Sequence, residues 1–229
     1  HPSSVYGGAH DALLAALAHG SRRYRGVAVA HADISDRQLE AWRAAGVCAL
    51  RFVEVKDAQG RPFSGSAGFA DLERMAPRMR GLGLHAQVWA DCETIASNAP
   101  LLTRLGMPVV FDHMGKPDVA AGAKAPAFAR LCAMVREGLV HVKLTLCRNS
   151  KQFPHYSDLR PLHDALVEAN AAQRVWGSDW THLRMGALAP DVSHLLDIFC
   201  DWIDDEAIRR RILVANPQRL FGFTPLDGV

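Results

Sequence analysis

One unit recurs along this chain: a helical pattern of apolar residues, often closed by a glycine, and then a short apolar run. Strands that alternate with helices pair in parallel through right-handed crossovers. The six apolar runs follow one another at spacings of roughly 30 residues, the length of a βαβ unit; they span residues 24–30, 47–55, 85–91, 108–114, 140–147 and 175–180. The pattern predicts a single α/β domain over residues 1–229, built as a doubly wound sheet or as an incomplete barrel.

Two of these runs end at residues that can carry out acid–base chemistry. His113 lies at the end of VVFDHMG (109–115), and Asp179 lies at the end of VWGSDW (175–180). In α/β proteins, binding and catalytic sites are built at the carboxyl ends of strands. We therefore expect the two side chains to share one site, and the chain to be an enzyme.

Charge and composition argue against several other classes of protein. The 26 Lys and Arg residues against 24 Asp and Glu give a net charge of +2, so no basic surface for nucleic acid is predicted. No apolar run approaches the ~20 residues that cross a membrane. No strand is followed by a Gly-x-Gly-x-x-Gly loop or a Gly-x-Ser-x-Gly elbow, which argues against nucleotide-dependent and serine-nucleophile chemistry. Five dispersed cysteines predict reduced thiols and a cytoplasmic location.

Six motifs run through the chain in order: PSSVYG (2–7), LRF (50–52), DHMGKPD (112–118), VKL (142–144), WGSDWTH (176–182) and NPQRLFG (216–222). With them the chain resembles the amidohydrolase-2 family of the amidohydrolase superfamily, and within it the 2-pyrone-4,6-dicarboxylate lactonase-like hydrolases. The resemblance implies a (β/α)8 TIM barrel with His113 on strand six and Asp179 on strand eight. The visible strands are then three to eight. We expect strand one, with the family's His-x-His motif, and most of strand two to lie in roughly 40–70 residues upstream of His1.

Both strand-end residues are candidate catalytic groups. At a barrel mouth Asp179 can take a proton from water as a general base, and His113 can polarise a scissile carbonyl. The alternatives are an Asp that caps a helix or pairs with an arginine, and a His that is a hydrogen-bonded core residue. The two would also be the metal ligands if a divalent metal were bound. Because they are fewer than the three protein ligands of a usual catalytic zinc site, we expect no required metal, with zinc as an optional cofactor.

Candidate substrate-binding residues lie near other strand ends. Arg51 and Arg148 have planar guanidinium groups that suit a substrate carboxylate, and the alternative for each is a salt bridge in the barrel wall. The resemblance implies that arginines at these positions hold carboxylates. One further family arginine is not reproduced, so Lys56 or Arg61 is the available substitute, and Trp89 stands where the family has a tyrosine. We therefore expect a substrate other than the pyrone dicarboxylate itself.

Three other residues are weaker candidates. Ser4 and Tyr6 match the family's serine-containing loop after strand two and could donate hydrogen bonds to substrate; the alternative is ordinary loop polarity. Lys143 lies within VKL, and the alternation of a strand does not say which way its side chain points.

The resemblance implies a hydrolase that opens a small carboxylate-bearing lactone, a 2-pyrone-4,6-dicarboxylate-like or sugar-acid lactone of aromatic or sugar-acid catabolism, by Asp-activated water. Two alternatives stay open. One is a metal-dependent decarboxylase of the same superfamily, and the other is a non-catalytic barrel that binds a carboxylate. The expected partner is a small anionic lactone, with no nucleic acid or membrane, and the oligomeric state is not predicted.

Overall fold

A computed structural model describes residues 10–20, 23–57 and 59–224 of the protein. The strands are β1 (Gly26–Ala28), β2 (Val47–Val53), β3 (His85–Trp89), β4 (Val109–Phe111), β5 (His141–Leu144) and β6 (Arg174–Trp176). They are hydrogen-bonded in chain order, and β1 with β2, β2 with β3 and β5 with β6 are parallel. The predicted parallel α/β architecture is confirmed.

Helices alternate with these strands. They are α1 (Asp11–His19), α2 (Asp36–Ala44), α3 (Phe69–Gly81), α4 (Cys92–Ser97), α5 (Ala99–Arg104), α6 (Pro126–Arg136), α7 (Arg160–Ala169), α8 (Val192–Trp202), α9 (Glu206–Arg210) and α10 (Asn216–Phe221). Within the described ranges, no helix is both long and apolar enough to cross a membrane.

The chain packs as two compact units. Of the described residues, those within 10–90, 98–110 and 218–224 form the first unit, and residues 91–97 and 111–217 form the second. The single domain over residues 1–229 stays a prediction.

The first unit is built around β2, in which all seven residues are buried. β2 pairs with β1 and with β3, and α2 packs against it with Leu39 and Trp42 buried. α2 begins at Ser35, whose hydroxyl accepts a hydrogen bond from the backbone N–H of Gln38 at 3.2 Å. This cap satisfies one of the amides that the first turn of a helix leaves without an internal partner.

The second unit contains the β5–β6 pair. Arg174, the first residue of β6, is fully buried. Its guanidinium donates to the carbonyl oxygens of Leu166, in α7, at 2.9 Å and of Gln173 at 2.8 Å. A buried charge is tolerated when its donors are satisfied, and here those donors hold the end of a helix to the start of a strand.

All six strands end earlier than the apolar runs that predicted them, and two of these ends precede the candidate catalytic residues. β4 stops at Phe111 although its run continues to Met114, and β6 stops at Trp176 although its run continues to Trp180. His113 and Asp179 have φ values of 49° and 62°, and a left-handed residue cannot continue an extended strand. The turns at the candidate catalytic residues therefore prevent both strands from extending to the ends of their apolar runs.

Candidate active site

The turn after β4 holds His113 in an unusual backbone conformation. His113, Met114, Gly115 and Lys116 are consecutive left-handed residues, with φ values of 49°, 58°, 70° and 42°. Of these residues, only glycine adopts a left-handed conformation without cost. Position 115 also has no room for a side chain, because a Cβ there would lie 2.6 Å from Cδ2 of Leu131. A turn of this kind persists where surrounding contacts hold it, and functional sites are where such turns cluster.

The turn after β6 has the same character. Asp179, His182 and Arg184 have φ values of 62°, 54° and 65°. The backbone N–H of His182 donates to the carbonyl oxygen of Asp179 at 2.9 Å, and its ring Nε2 lies 2.9 Å from the carbonyl oxygen of Ser178. His182, 6% exposed, therefore closes the turn around Asp179. Among the described residues, these two turns hold six of the seven non-glycine residues with positive φ.

Two consecutive residues after β5 contact both turns. Arg148 pairs through Nε with the Oδ2 carboxylate oxygen of Asp179, and its Nη1 donates to the carbonyl oxygen of Leu183 at 2.7 Å. Asn149 donates from Nδ2 to the carbonyl oxygen of His113 at 2.6 Å. The loop after β5 thus joins the His113 turn to the Asp179 turn. Sequence reasoning missed Asn149, because a loop asparagine without a motif carries no signal.

A cavity of about 670 Å³ opens beside this loop, a volume typical of small-molecule sites. Residues after β3, β4 and β5 and the first turn of α6 line it: Asp91, Cys92, Glu93, Lys116, Pro117, Asp118, Ala121, Lys124, Ala125, Pro126, Ala127, Phe128, Arg148 and Asn149. His113 and Asp179 are not among the lining residues. Arg148 is, so one residue both lines the cavity and pairs with the Asp179 carboxylate.

An ion pair lies directly before the His113 turn. Nζ of Lys143, on β5, is 2.7 Å from Oδ1 of Asp112. The Asp112 side chain is 1% exposed and that of Lys143 is 20% exposed. The direction of Lys143, which the sequence left open, is therefore toward Asp112.

The cysteines near the site are buried thiols. Burial raises the pKa of Cys92 to about 12, and burial with the adjacent negative charge of Asp179 raises the pKa of Cys147 to about 11. Both stay protonated at neutral pH, which is the wrong state for a nucleophile. All five cysteines are free.

The remaining candidates lie in the first unit or outside the described residues. Arg51 is 3% exposed, and its guanidinium carbon lies 5.9 Å from the ring centroid of Trp89. Trp89 in turn stacks on Phe63 with ring centroids 5.5 Å apart. Lys56 is exposed and bridges to Pro62, and Arg61 pairs with Asp57 at 3.1 Å. Ser4 and Tyr6 lie outside the described residues.

The described residues do not fit a catalytic zinc site. Across residues 10–20, 23–57 and 59–224, no group of three or more His, Cys, Asp or Glu side chains is placed to hold a metal ion. The Asp179 carboxylate is instead engaged by Arg148. We derive no chemical step through a metal.

Comparison with known proteins identifies the family. The amidohydrolase family model Amidohydro_2 matches residues 2–223. The chain belongs to the amidohydrolase family. It is 30% identical over 225 residues to the 4-sulfomuconolactone hydrolase of Hydrogenophaga intermedia, covering 97% of this chain and 73% of that protein. It is 28% identical over 229 residues to the 2-pyrone-4,6-dicarboxylate hydrolase of Comamonas testosteroni, an alignment that covers 96% of this chain and 73% of that protein. It is 26% identical over 219 residues to the D-galactarolactone isomerase of Agrobacterium fabrum, and this alignment covers 94% of this chain and 72% of that protein.

Solved structures agree with this amidohydrolase membership. A putative 2-pyrone-4,6-dicarboxylic acid hydrolase from Pseudomonas putida superposes with a TM-score of 0.78 at 25% identity, covering 96% of this chain and 80% of that one. An amidohydrolase from Burkholderia multivorans with bound zinc shares the fold, with a TM-score of 0.57 at 21% identity and 93% and 88% coverage. The predicted barrel fold and family resemblance are confirmed, and a relative of this fold holds zinc.

Proposed function

We propose that this amidohydrolase opens a small carboxylate-bearing lactone by water that Asp179 activates. The observation that carries the proposal is the loop after β5, whose residues Arg148 and Asn149 contact the Asp179 turn and the His113 turn. The lactone as substrate class is supported by the relatives, which are named as lactone hydrolases and a lactone isomerase. The five unpaired thiols support a cytoplasmic location.

The chemistry assigns one role to each strand-end residue. The Asp179 side chain is 21% exposed and accepts from Arg148 at Oδ2, so Oδ1 is the oxygen available to a water molecule. Asp179 takes a proton as the water oxygen attacks the lactone carbonyl carbon, and His113 polarises the carbonyl oxygen. The ring C–O bond then breaks, and the proton held by Asp179 passes to the leaving alkoxide, which yields a hydroxy acid.

Arginine and lysine side chains orient the substrate in this proposal. Arg148 binds a substrate carboxylate at the cavity in this proposal, while Arg51, Lys56 and Trp89, in the first unit, stay predicted substrate contacts. Lys56 is a point charge without the planar fork of an arginine. A substrate with a carboxylate arrangement different from that of the pyrone dicarboxylate is therefore expected.

The test is lactone turnover by Asp179→Asn. Because asparagine cannot accept the proton from water, we expect kcat to fall about 10²–10⁴-fold, the usual contribution of a general base. The substrates are a panel of carboxylate-bearing and neutral lactones, with products identified by NMR as ring-opened acids, isomerised lactones or decarboxylated compounds. The matched control is Asp201→Asn, on the exposed surface of α8.

The same assay is run after exhaustive chelation, because the proposed hydrolysis needs no metal ion. Turnover by Asp179→Asn equal to that of the wild type would remove Asp179 from the chemistry. Turnover lost on chelation and restored by zinc would overturn the metal-free mechanism. Binding of a carboxylate lactone without any product would favour the non-catalytic barrel.

A further inference from the structure

The ion pair between Lys143 and Asp112 is placed to act on the proposed active site. Asp112 is 1% exposed, and its Oδ1 accepts from Nζ of Lys143 at 2.7 Å. Asp112 immediately precedes His113, and its backbone carbonyl oxygen accepts from the N–H of Gly115 at 2.9 Å. The pair therefore fixes the residue from which the left-handed turn starts.

That turn needs support from outside itself. Three non-glycine residues in the turn have positive φ. This conformation is unfavourable for L-residues and persists only when other contacts stabilise it. One contact is from Asn149, which donates to the carbonyl oxygen of His113 at 2.6 Å. Another is from the Cys92 thiol, 3.1 Å from the carbonyl oxygen of Gly115. Among the three side chains that contact the turn and the residue before it, Lys143 is the charged one. It binds Asp112, the residue from which the turn starts.

The strand that leads to Asp179 leaves room for the lysine. A Cβ at Gly177 would lie 2.8 Å from Cδ and 3.1 Å from Cγ of Lys143, and 3.5 Å from Oγ1 of Thr145. The lysine stem thus runs against the backbone two residues before Asp179. It contacts the end of β6 and, through Asp112, the end of β4.

We propose that Lys143 is a positioning residue for His113: its ion pair with Asp112 sets the turn that carries the imidazole, and the absence of a side chain at Gly177 makes the space for it. The kinetic consequence rests on the proposed lactone hydrolysis, whereas the structural consequence does not. The role is separate from substrate binding, because the ammonium is bound to a carboxylate of the protein.

The first arm of the test observes His113 directly and needs no substrate. Protein labelled with ¹⁵N-histidine gives imidazole resonances, and the His113 signals are identified by their loss in His113→Gln. Lys143→Met and Asp112→Asn should both move the His113 signals. The control is Thr145→Val, because Thr145 approaches the same glycine and its buried hydroxyl has no hydrogen-bond partner in the described part of the chain. It should leave the His113 signals in place.

The second arm measures kcat and KM on the lactone that the wild type turns over best. Lys143→Met should lower kcat about 100-fold, the effect of misplacing a reacting group by roughly 1 Å, with little change in KM. Lys143→Arg keeps the cation and should recover part of kcat. The double variant Lys143→Met/Asp112→Asn should be no slower than Lys143→Met alone, because residues of one pair are not additive.

Each outcome decides the inference. His113 signals unchanged in both Lys143→Met and Asp112→Asn overturn it whatever the kinetics. Shifted signals with wild-type kcat overturn the positioning role and leave lactone hydrolysis standing. A wild type without lactone turnover overturns the proposed function, while the NMR arm still decides whether the pair positions His113. If Lys143→Met does not fold, Asp112→Asn, which is nearly isosteric, carries both arms.

Discussion

Arg148 is the residue at which two proposed roles meet. Its Nε binds the Asp179 carboxylate and its Nη1 binds the carbonyl oxygen of Leu183, and its side chain, 25% exposed, lines the cavity. A substrate carboxylate at this guanidinium would share it with the proposed general base. In the proposed mechanism, Arg148 would therefore couple the arrival of the substrate to the orientation of Asp179.

We expect Arg148→Met to raise KM for carboxylate-bearing lactones about 10–100-fold, since a hydrogen bond to a charged group contributes about 1.5–3 kcal/mol. KM for neutral lactones should change less. The measurement compares KM for matched neutral and anionic substrates, with Arg130→Met on the exposed face of α6 as the control. If KM rose equally for neutral and anionic lactones, the effect of the substitution would arise at Asp179 and not at the substrate carboxylate.

The residues of the candidate site differ in whether the sequence alone indicates their roles. His113 and Asp179 stand at the ends of apolar runs, which is a local signal. Asn149 and Asp112 act through contacts with residues 36 and 31 positions away along the chain, and no periodicity records such a contact. Lys143 lies in a recognisable motif, but an alternating pattern gives two faces without saying which is inside.

At the scale of elements, the helices were predicted better than the strand ends. Apolar residues at helical spacing mark α1 and α8, and the Ser35–Gln38 contact marks the start of α2, because these signals are local and periodic. The apolar runs that predicted β4 and β6 include the left-handed turns, since Met114 and Trp180 are apolar but not extended. α4, with six residues, is too short for a periodic signal and was not predicted.

The turn after β4 gives a prediction at this scale. Gly115→Ala should destabilise the protein by about 2–5 kcal/mol, from a left-handed alanine at about 1–2 kcal/mol and overpacking at about 1–3 kcal/mol, because the new Cβ would meet Leu131 at 2.6 Å. Gly83→Ala is the matched control: φ there is 64°, and nothing lies within 4 Å of the Cβ position. It should show the backbone cost alone. Urea unfolding measures the free energy of unfolding of both variants. If both lost the same amount relative to the wild type, the Leu131 side chain would move aside without cost.

At the scale of the whole molecule, stability depends on a buried histidine that the proposed chemistry does not use. His163, on α7, is 1% exposed, and its ring packs edge-on against Phe199 and Trp202 of α8 with centroids 6.2 and 5.2 Å away. Nδ1 lies 3.1 Å from Oδ1 of Asp164, and Nε2 has no hydrogen-bond partner within the described ranges. Burial lowers the pKa of His163, with smaller lowering effects from Arg160 and Arg174, and these outweigh the raising effect of Asp164.

The sign of the resulting pH dependence follows from proton uptake. In the unfolded chain His163 binds a proton below its ordinary pKa of about 6.5, whereas in the folded protein it stays neutral until the pH falls below its lowered pKa. Between those two values the unfolded state holds more protons, so the free energy of unfolding falls as the pH falls, by up to about 1.4 kcal/mol per pH unit. Above pH 6.5 the slope fades, because the histidine of the unfolded chain also loses its proton.

His163→Leu should therefore remove this slope below pH 6.5, whatever it does to stability at pH 8. The measurement is the free energy of unfolding from urea titrations at several pH values, with the variant's slope subtracted from that of the wild type. Leu162→Ala, a buried neighbour on the same helix, is the control: it should lower stability at every pH and keep the wild-type slope, because no titrating group is lost. A His163→Leu protein that still loses stability below pH 6.5 as steeply as the wild type would show that the proton is taken up elsewhere. The α7–α8 packing would then tolerate a charged imidazole.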